Sequence, residues 1–264
     1  MAAGGWSVPD QGQAEWLPVL DLPEPARQRR LTVLLRWLLL LPQFIVVAVL
    51  SVGASLAAIV GWFAALFTGR LPEPVARFLY GYVGYQTRVS ASAMLLVDRY
   101  PPFALWAPAD HPTQIELRPG KLNRLAVLFR IILMFPAAII ESVVSSGWFA
   151  LSFLIWLVVL ITGGMPRPLF EAVAATLRYS MRLNSYVFML TSAYPKGLFG
   201  DAAYPQAETH SASRPLRLSG WGTAFLVLFL LAGVGTNIAS SVGTTSGDDN
   251  PTVRTAHVPD QGVR

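Results

Sequence analysis

No cysteine occurs in the chain, which excludes disulfides, thiolate metal sites and a cysteine nucleophile. Charge is scarce as well. Charged residues make up 13% of the sequence, against about a quarter in a soluble domain. Lysine is nearly absent: Lys121 and Lys196 stand against 18 arginines. His111, His210 and His257 sit in three separate polar segments, none with a second ligand at helical spacing, so no metal centre is expected. There is no Gly-x-Ser-x-Gly elbow, no P-loop and no dinucleotide fingerprint. These absences predict a protein that is not an enzyme and needs no cofactor.

What is abundant is apolar sequence. Hydrophobic residues reach 53% and gather in long blocks, residues 31–67, 125–161 and 218–239. Blocks of this length mark an integral membrane protein. No secretory signal is expected, because the first 26 residues carry Asp10, Glu15, Asp21 and Glu24 and the first apolar block is long and late. The net charge of +5 lies beside the apolar blocks. That placement predicts a cytoplasmic membrane face and attraction to anionic lipid. It disfavours nucleic acid, which calls for a separate basic domain.

The chain is internally duplicated. Arg30, Arg36, Pro42, Gly53, Trp62, Thr68, Gly69, Tyr85, Arg88 and Pro101 recur, at a constant offset of 94, as Arg124, Arg130, Pro136, Gly147, Trp156, Thr162, Gly163, Tyr179, Arg182 and Pro195. The segment before each copy also resembles its counterpart with a one-residue slip, Leu20-Asp21-Leu22 against Ile115-Glu116-Leu117. Each repeat is thus expected to open on a short extended segment. The organisation predicted is a disordered arm (1–26), repeat 1 (27–103), repeat 2 (114–199), a linker (200–217), a transmembrane helix (218–239) and a polar tail (240–264). Val-Pro-Asp-Gln-Gly occurs at both 8–12 and 258–262 without a physical explanation.

As one straight helix, each repeat's apolar block would reach about 55 Å, against a hydrocarbon core of about 30 Å. Basic residues flank it on both sides, which predicts an even number of crossings. The fold class expected is therefore all-α and integral to the membrane. Each repeat would be an apolar helical hairpin, bent near Gly53 or Gly147, followed by an interfacial amphipathic helix. One C-terminal transmembrane helix completes the chain. A second parse ends an interfacial helix near Pro42, spans 42–67 and returns over 75–97. It places Arg88 and Arg182 near mid-bilayer, at a cost unless they are paired. Thr68-Gly69 and Thr162-Gly163 are read as helix stops, and Trp62 as an interfacial anchor. Polar stripes at helical spacing run along the following helices: Arg77, Gly81, Gly84 and Arg88 in one, Glu171, Ala175, Arg178 and Arg182 in the other.

The stretches Arg36-Trp37-Leu38-Leu39-Leu40-Leu41-Pro42-Gln43, Phe67-Thr68-Gly69-Arg70-Leu71-Pro72 and Tyr100-Pro101-Pro102-Phe103 resemble a bacterial, mainly actinobacterial, membrane family, domain of unknown function 4389. The resemblance covers about residues 20–103 and 114–199. Copy two departs from it at Gly164, where the arginine is missing, and at Lys196, where the second proline is missing. The family implies an integral membrane protein and supplies no catalytic residues.

Two sets of candidate functional residues follow. Arg36, Arg88, Arg130 and Arg182 recur in both copies, and a guanidinium matches lipid phosphate. Glu141 lies inside an apolar block where copy one has Val47, and an intramembrane carboxylate points to function. Gly53, Gly69, Gly147 and Gly163 are structural candidates. The function expected is a scaffold, accessory subunit or membrane-organising protein of the bacterial plasma membrane. Its partners would be the bilayer, anionic lipids and a membrane protein or a second copy. The N-terminus would be cytoplasmic and the C-terminus outside. The alternative is a small transporter with its pathway between the repeats.

Overall fold

A computed structural model describes residues 17–117, 122–201 and 211–245. Seven helices and two short strands appear in these residues. In chain order they are β1 (Val19–Asp21), α1 (Arg30–Leu34), α2 (Arg36–Thr68), α3 (Glu73–Ala93), β2 (Gln114–Glu116), α4 (Arg124–Leu128), α5 (Arg130–Thr162), α6 (Arg167–Val187) and α7 (Gly220–Thr245). The protein is all-α in its membrane part. α2, α5 and α7 are each long and apolar enough to cross a bilayer. Residues 1–16, with the first Val-Pro-Asp-Gln-Gly, and the last residues, with the second, lie outside the described set. So do His210 and His257.

The hairpin expectation is corrected. α2 and α5 run unbroken for 33 residues each, about 50 Å. Ser51 and Ser55 donate to Ala48 O and Ser51 O, at 2.7 and 2.8 Å, within the helix. Serine thus ties back to the helix instead of opening a bend. The turn comes later. Gly69 and Gly163 close α2 and α5 with φ of 72° and 74°, left-handed positions that glycine adopts without a Cβ penalty. A proline starts the next helix in each copy.

α3 then returns antiparallel along α2. Val75 meets Gly61, Phe78 meets Gly53, and Ser92 accepts from Arg36. α6 returns along α5 in the same way, with Ser180 against Glu141 and Tyr186 against Arg130. These returning helices do not lie free on a surface as expected but are packed inside the protein. Twelve of 21 residues in α3 and 16 of 21 in α6 are buried. Their polar stripes do lie on one side, but that side faces the protein's own connecting chain.

The repeats dock head to tail. Trp62 donates its indole N–H to Val127 O at 2.9 Å, and Trp156 donates to Val33 O at 2.9 Å. Leu122 N–H binds Gly69 O and Gln28 N–H binds Gly163 O. α2 therefore starts where α5 stops, and the reverse, so the two long helices are antiparallel. Reciprocal contacts of this kind define an approximate twofold axis between the repeats. The tryptophans are not lipid anchors; they lock one repeat onto the other. On the axis β1 and β2 pair antiparallel, Leu20 opposite Ile115. The two slipped segments of the sequence find each other there. Residues 17–26 are thus ordered rather than part of a disordered arm, because Leu20 and Leu22 are buried.

α7 breaks the symmetry. It runs antiparallel to α5 on the outside of repeat 2. A Cβ on Gly147 would lie 1.6 Å from Phe229 O, and one on Gly233 would lie 1.8 Å from Val143 O. Only glycine on both sides permits this backbone approach. In repeat 1 the matching Gly53 is covered by the Phe78 ring at 3.4 Å, where repeat 2 has the small Ala172. Gly147→Ala is expected to expel α7 and lower stability by at least about 2 kcal/mol. Gly53→Ala should stay within about 0.5 kcal/mol. Thermal unfolding of both variants in detergent checks the contrast; equal losses would contradict the close approach.

Candidate functional site

Two polar places stand out among the described residues, a layer of buried arginines and a cavity between the repeats.

The arginines come first because they account for the connecting chain. α3 ends beside the start of α2, yet repeat 2 begins at the far end of α2, beside Gly69. The described residues 94–117 run back along the molecule, largely without regular structure. Their carbonyl groups need donors. Arg88 supplies two, to Ala104 O at 2.5 Å and Leu105 O at 3.2 Å. Arg182 does the same in repeat 2, donating to Lys196 O at 2.8 Å and Pro18 O at 3.0 Å. Small residues on the same stripe let this chain lie close. A Cβ on Gly81 would meet the Leu105 side chain at 2.6 Å.

Arg36 and Arg130 act at the helix ends. Arg36 donates to Ser92 Oγ and Val97 O, and pairs with Asp98 at 3.1 Å. Arg130 donates to Tyr186 O at 2.6 Å and Thr191 O at 2.5 Å, with its guanidinium 4.0 Å from the Tyr186 ring centre. Each holds the C-terminus of the returning helix, where free carbonyls favour a cation. Just beyond, Leu95 and Met189 adopt left-handed φ of 60° and 59° in matching positions.

The lipid-phosphate expectation for these four residues is corrected. Arg36, Arg88, Arg130 and Arg182 are only 3–4% exposed, and each donates to the protein's own oxygens, although Arg36 Nε and Arg88 Nε are buried without a partner. Tyr85 and Tyr179 are buried too and belong to no interfacial belt. Tyr85 donates to Gln43, which in turn donates to Pro101 O at 2.7 Å.

The duplication gave no sign of Arg178 and Asp201. Arg178 replaces Gly84 of repeat 1 and is 1% exposed. It meets Asp201 at 2.6 Å, and Asp201 also meets Arg182 at 3.0 Å. Burial alone would push the Asp201 carboxyl up, but Arg178 and Arg182 outweigh it and hold the group below its ordinary range. A carboxyl lowered on folding stabilises above its unfolded pKa, about 3.9, and that stability is lost as pH falls through the folded value. Asp201→Asn, which strands two buried cations, is expected to cost about 3 kcal/mol at neutral pH. It should also flatten the loss of stability below about pH 4. Unfolding followed from pH 7 downward tests both; an unchanged acid limb would contradict the pairing.

The second place is a cavity of about 570 Å³ between the repeats. Glu141 lies on its wall and accepts a hydrogen bond from Ser180 at 3.1 Å. α2 contributes Trp37 and Phe44, α3 contributes Ser90 and Ala93 with Met94 just beyond its end, and α5 contributes Trp148 and Phe149. The structure thus brings Glu141 to a cavity and takes the four repeat arginines elsewhere. No group of three metal-ligating side chains gathers among the described residues.

No curated protein and no solved structure matches the chain. A family model does, twice, over residues 30–104 and 124–198. Those two segments are the head-to-tail units of the fold and together exceed half the sequence, so the chain belongs to the family described as domain of unknown function DUF4389.

Proposed function

We propose that the protein is a non-enzymatic membrane-organising scaffold of the bacterial plasma membrane whose two repeats lie within one leaflet, on the cytoplasmic side. The observation that carries this reading is the position of the strand pair. β1 and β2 pack on the returning helices α6 and α3, through Arg182 to Pro18 O and Tyr80 to Ile115 O, at a level where α3 meets the middle of α2, Phe78 against Gly53. Beside them Arg214 pairs with Glu116 at 3.0 Å and Asp21 at 3.5 Å, with all three side chains between 26 and 35% exposed. If α2 and α5 crossed the bilayer, this cluster and a two-stranded ribbon would stand near the midplane. Charges there cost about 2.5–3.5 kcal/mol each, and irregular backbone is tolerated only when buried.

Laying the long helices parallel to the surface removes both costs. It also satisfies the basic flanks without a bend. Arg29 and Arg30 lie at one end of α2, Arg70 and Arg124 at the other, all exposed. These four, rather than the buried set, are the groups that would meet anionic head groups. The lipid-facing surface is large: residues such as Ile45, Val49, Phe135 and Phe153 are each at least 65% exposed. Wedged into one leaflet, such a slab would expand it and bend the membrane. In this reading α7, antiparallel to α5, stays in the same leaflet, so the C-terminus need not lie outside.

A small transporter remains the second reading, because the cavity beside Glu141 lies between the repeats. Tyr82 packed against Phe188 fills the matching position across the axis, so the cavity has no symmetric counterpart with which to form a two-sided pathway.

The native absence of cysteine makes the test clean. Single cysteines at Arg29 and Arg70 in membrane vesicles are expected to react with an impermeant reagent from the cytoplasmic side only. Reaction from opposite sides would establish a crossing and overturn the seat.

A further inference from the structure

The inter-repeat cavity is present on one side of the twofold axis only, and its chemistry differs from that of its counterpart. Glu141 replaces Val47, Ser142 replaces Ala48, Ser180 replaces Gln86 and Trp148 replaces Ala54. The change that opens the space is Thr176, which stands where repeat 1 has Tyr82. Tyr82 is buried edge-on against Phe188 and fills the matching position. Duplication alone would have produced two equal crevices or none. Here one copy is packed shut and the other is an open cleft, lined by Glu141, several hydroxyl side chains and four aromatic rings.

The walls state what would fit. Glu141 is the one ionisable side chain among the lining residues. No cation comes within salt-bridge distance of it among the described residues, and its recorded side-chain partner is the Ser180 hydroxyl. Trp37, Phe44, Trp148 and Phe149 line the open space, with Trp37 and Phe149 exposed, and aromatic faces attract ammonium groups. The Trp148 indole N–H is itself buried without a hydrogen-bond partner, a cost that an acceptor on a ligand would relieve. With no guanidinium or ammonium on the wall, a phosphate or carboxylate ligand finds nothing to neutralise it. A volume of 570 Å³ suits a small amphiphile.

The cavity lies on the opposite face of α3 and α6 from the strands. Gly84 and Arg88 of α3 point to the connecting chain and Ser90 and Met94 to the cavity, as expected for residues half a helical turn apart. We infer that this cavity is a binding site for an aliphatic ammonium, an apolar molecule whose protonated amine is held by Glu141 within the aromatic wall. Its entry from the acyl-chain region rests on the one-leaflet seat; the binding itself does not.

Titration of the purified full chain in nonionic detergent tests it. The probes are dodecylammonium, dodecanol, dodecyl phosphate and lysophosphatidylethanolamine, followed by calorimetry and tryptophan fluorescence. Dodecylammonium should bind at least about tenfold more tightly than dodecanol, the scale of one charge-assisted hydrogen bond. Glu141→Gln should remove that advantage and leave dodecanol within about twofold. Thr176→Tyr, which copies the filled side, should abolish binding of both and guards against misfolding of the first variant. Lysophosphatidylethanolamine matching dodecylammonium would assign a lipid head group as the source; binding no tighter than dodecanol would assign a free amine. Equal binding of dodecanol and dodecylammonium, or a Glu141→Gln protein with unchanged preference, would overturn the site. Labelling at residues 29 and 70 of the same variants separates failure of this site from failure of the membrane seat.

Discussion

The structure depends on guanidinium groups that bind backbone carbonyls inside an apolar protein. In each repeat the return ends beside the start of the long helix, while the next unit begins at the other end. A stretch of nonhelical chain must therefore run back along the molecule, carrying polar backbone that neither α3 nor α6 can pair. Arg88 and Arg182 supply the donors that make this burial tolerable, and Arg36 and Arg130 close the ends of the returning helices. Burying an arginine is costly. It is offset because each guanidinium satisfies several carbonyls that would otherwise be stranded.

The head-to-tail arrangement follows from that routing. Because the connection crosses the molecule, the second long helix starts beside the end of the first, and the two repeats can hold one another with identical bonds. The Trp62 and Trp156 indoles, the strand pair and the two glycine stops all lie at equivalent places. Departures from equivalence then stand out as additions: α7 on the glycine face of repeat 2, the Arg178–Asp201 pair, and the cavity opened by Thr176.

Much of this was legible in the chain. The duplication, the two glycine stops and the extended segment before each repeat are all found, and the polar stripes do lie on one side of their helices. What could not be read was what each stripe faces. An arginine stripe on a half-apolar helix looks the same whether it meets head groups or carbonyls, because spacing encodes a side and not a partner. The bend expected at Gly53 failed for a related reason. Length against bilayer thickness argues for a bend only if the helix stands upright. Gly147 proved to be a site of backbone contact, which depends on Gly233, 86 residues away. Glu141 was visible as an exception to the repeat, but its cavity required Thr176, whose importance appears only when Tyr82 is seen to fill the matching space.

The central claim is that an apolar helix long enough to cross the bilayer lies flat because a strand pair and a charged cluster stand level with its midpoint, on the far face of the helix that returns along it. Spin labels placed singly at Leu41, Val49, Leu56 and Phe63, all exposed along α2, would report depth through collisions with oxygen and with a water-soluble relaxant. The account predicts a similar, shallow depth at all four positions. A profile that deepens toward the middle of the helix and becomes shallow again at both ends would show that α2 crosses, and would contradict it.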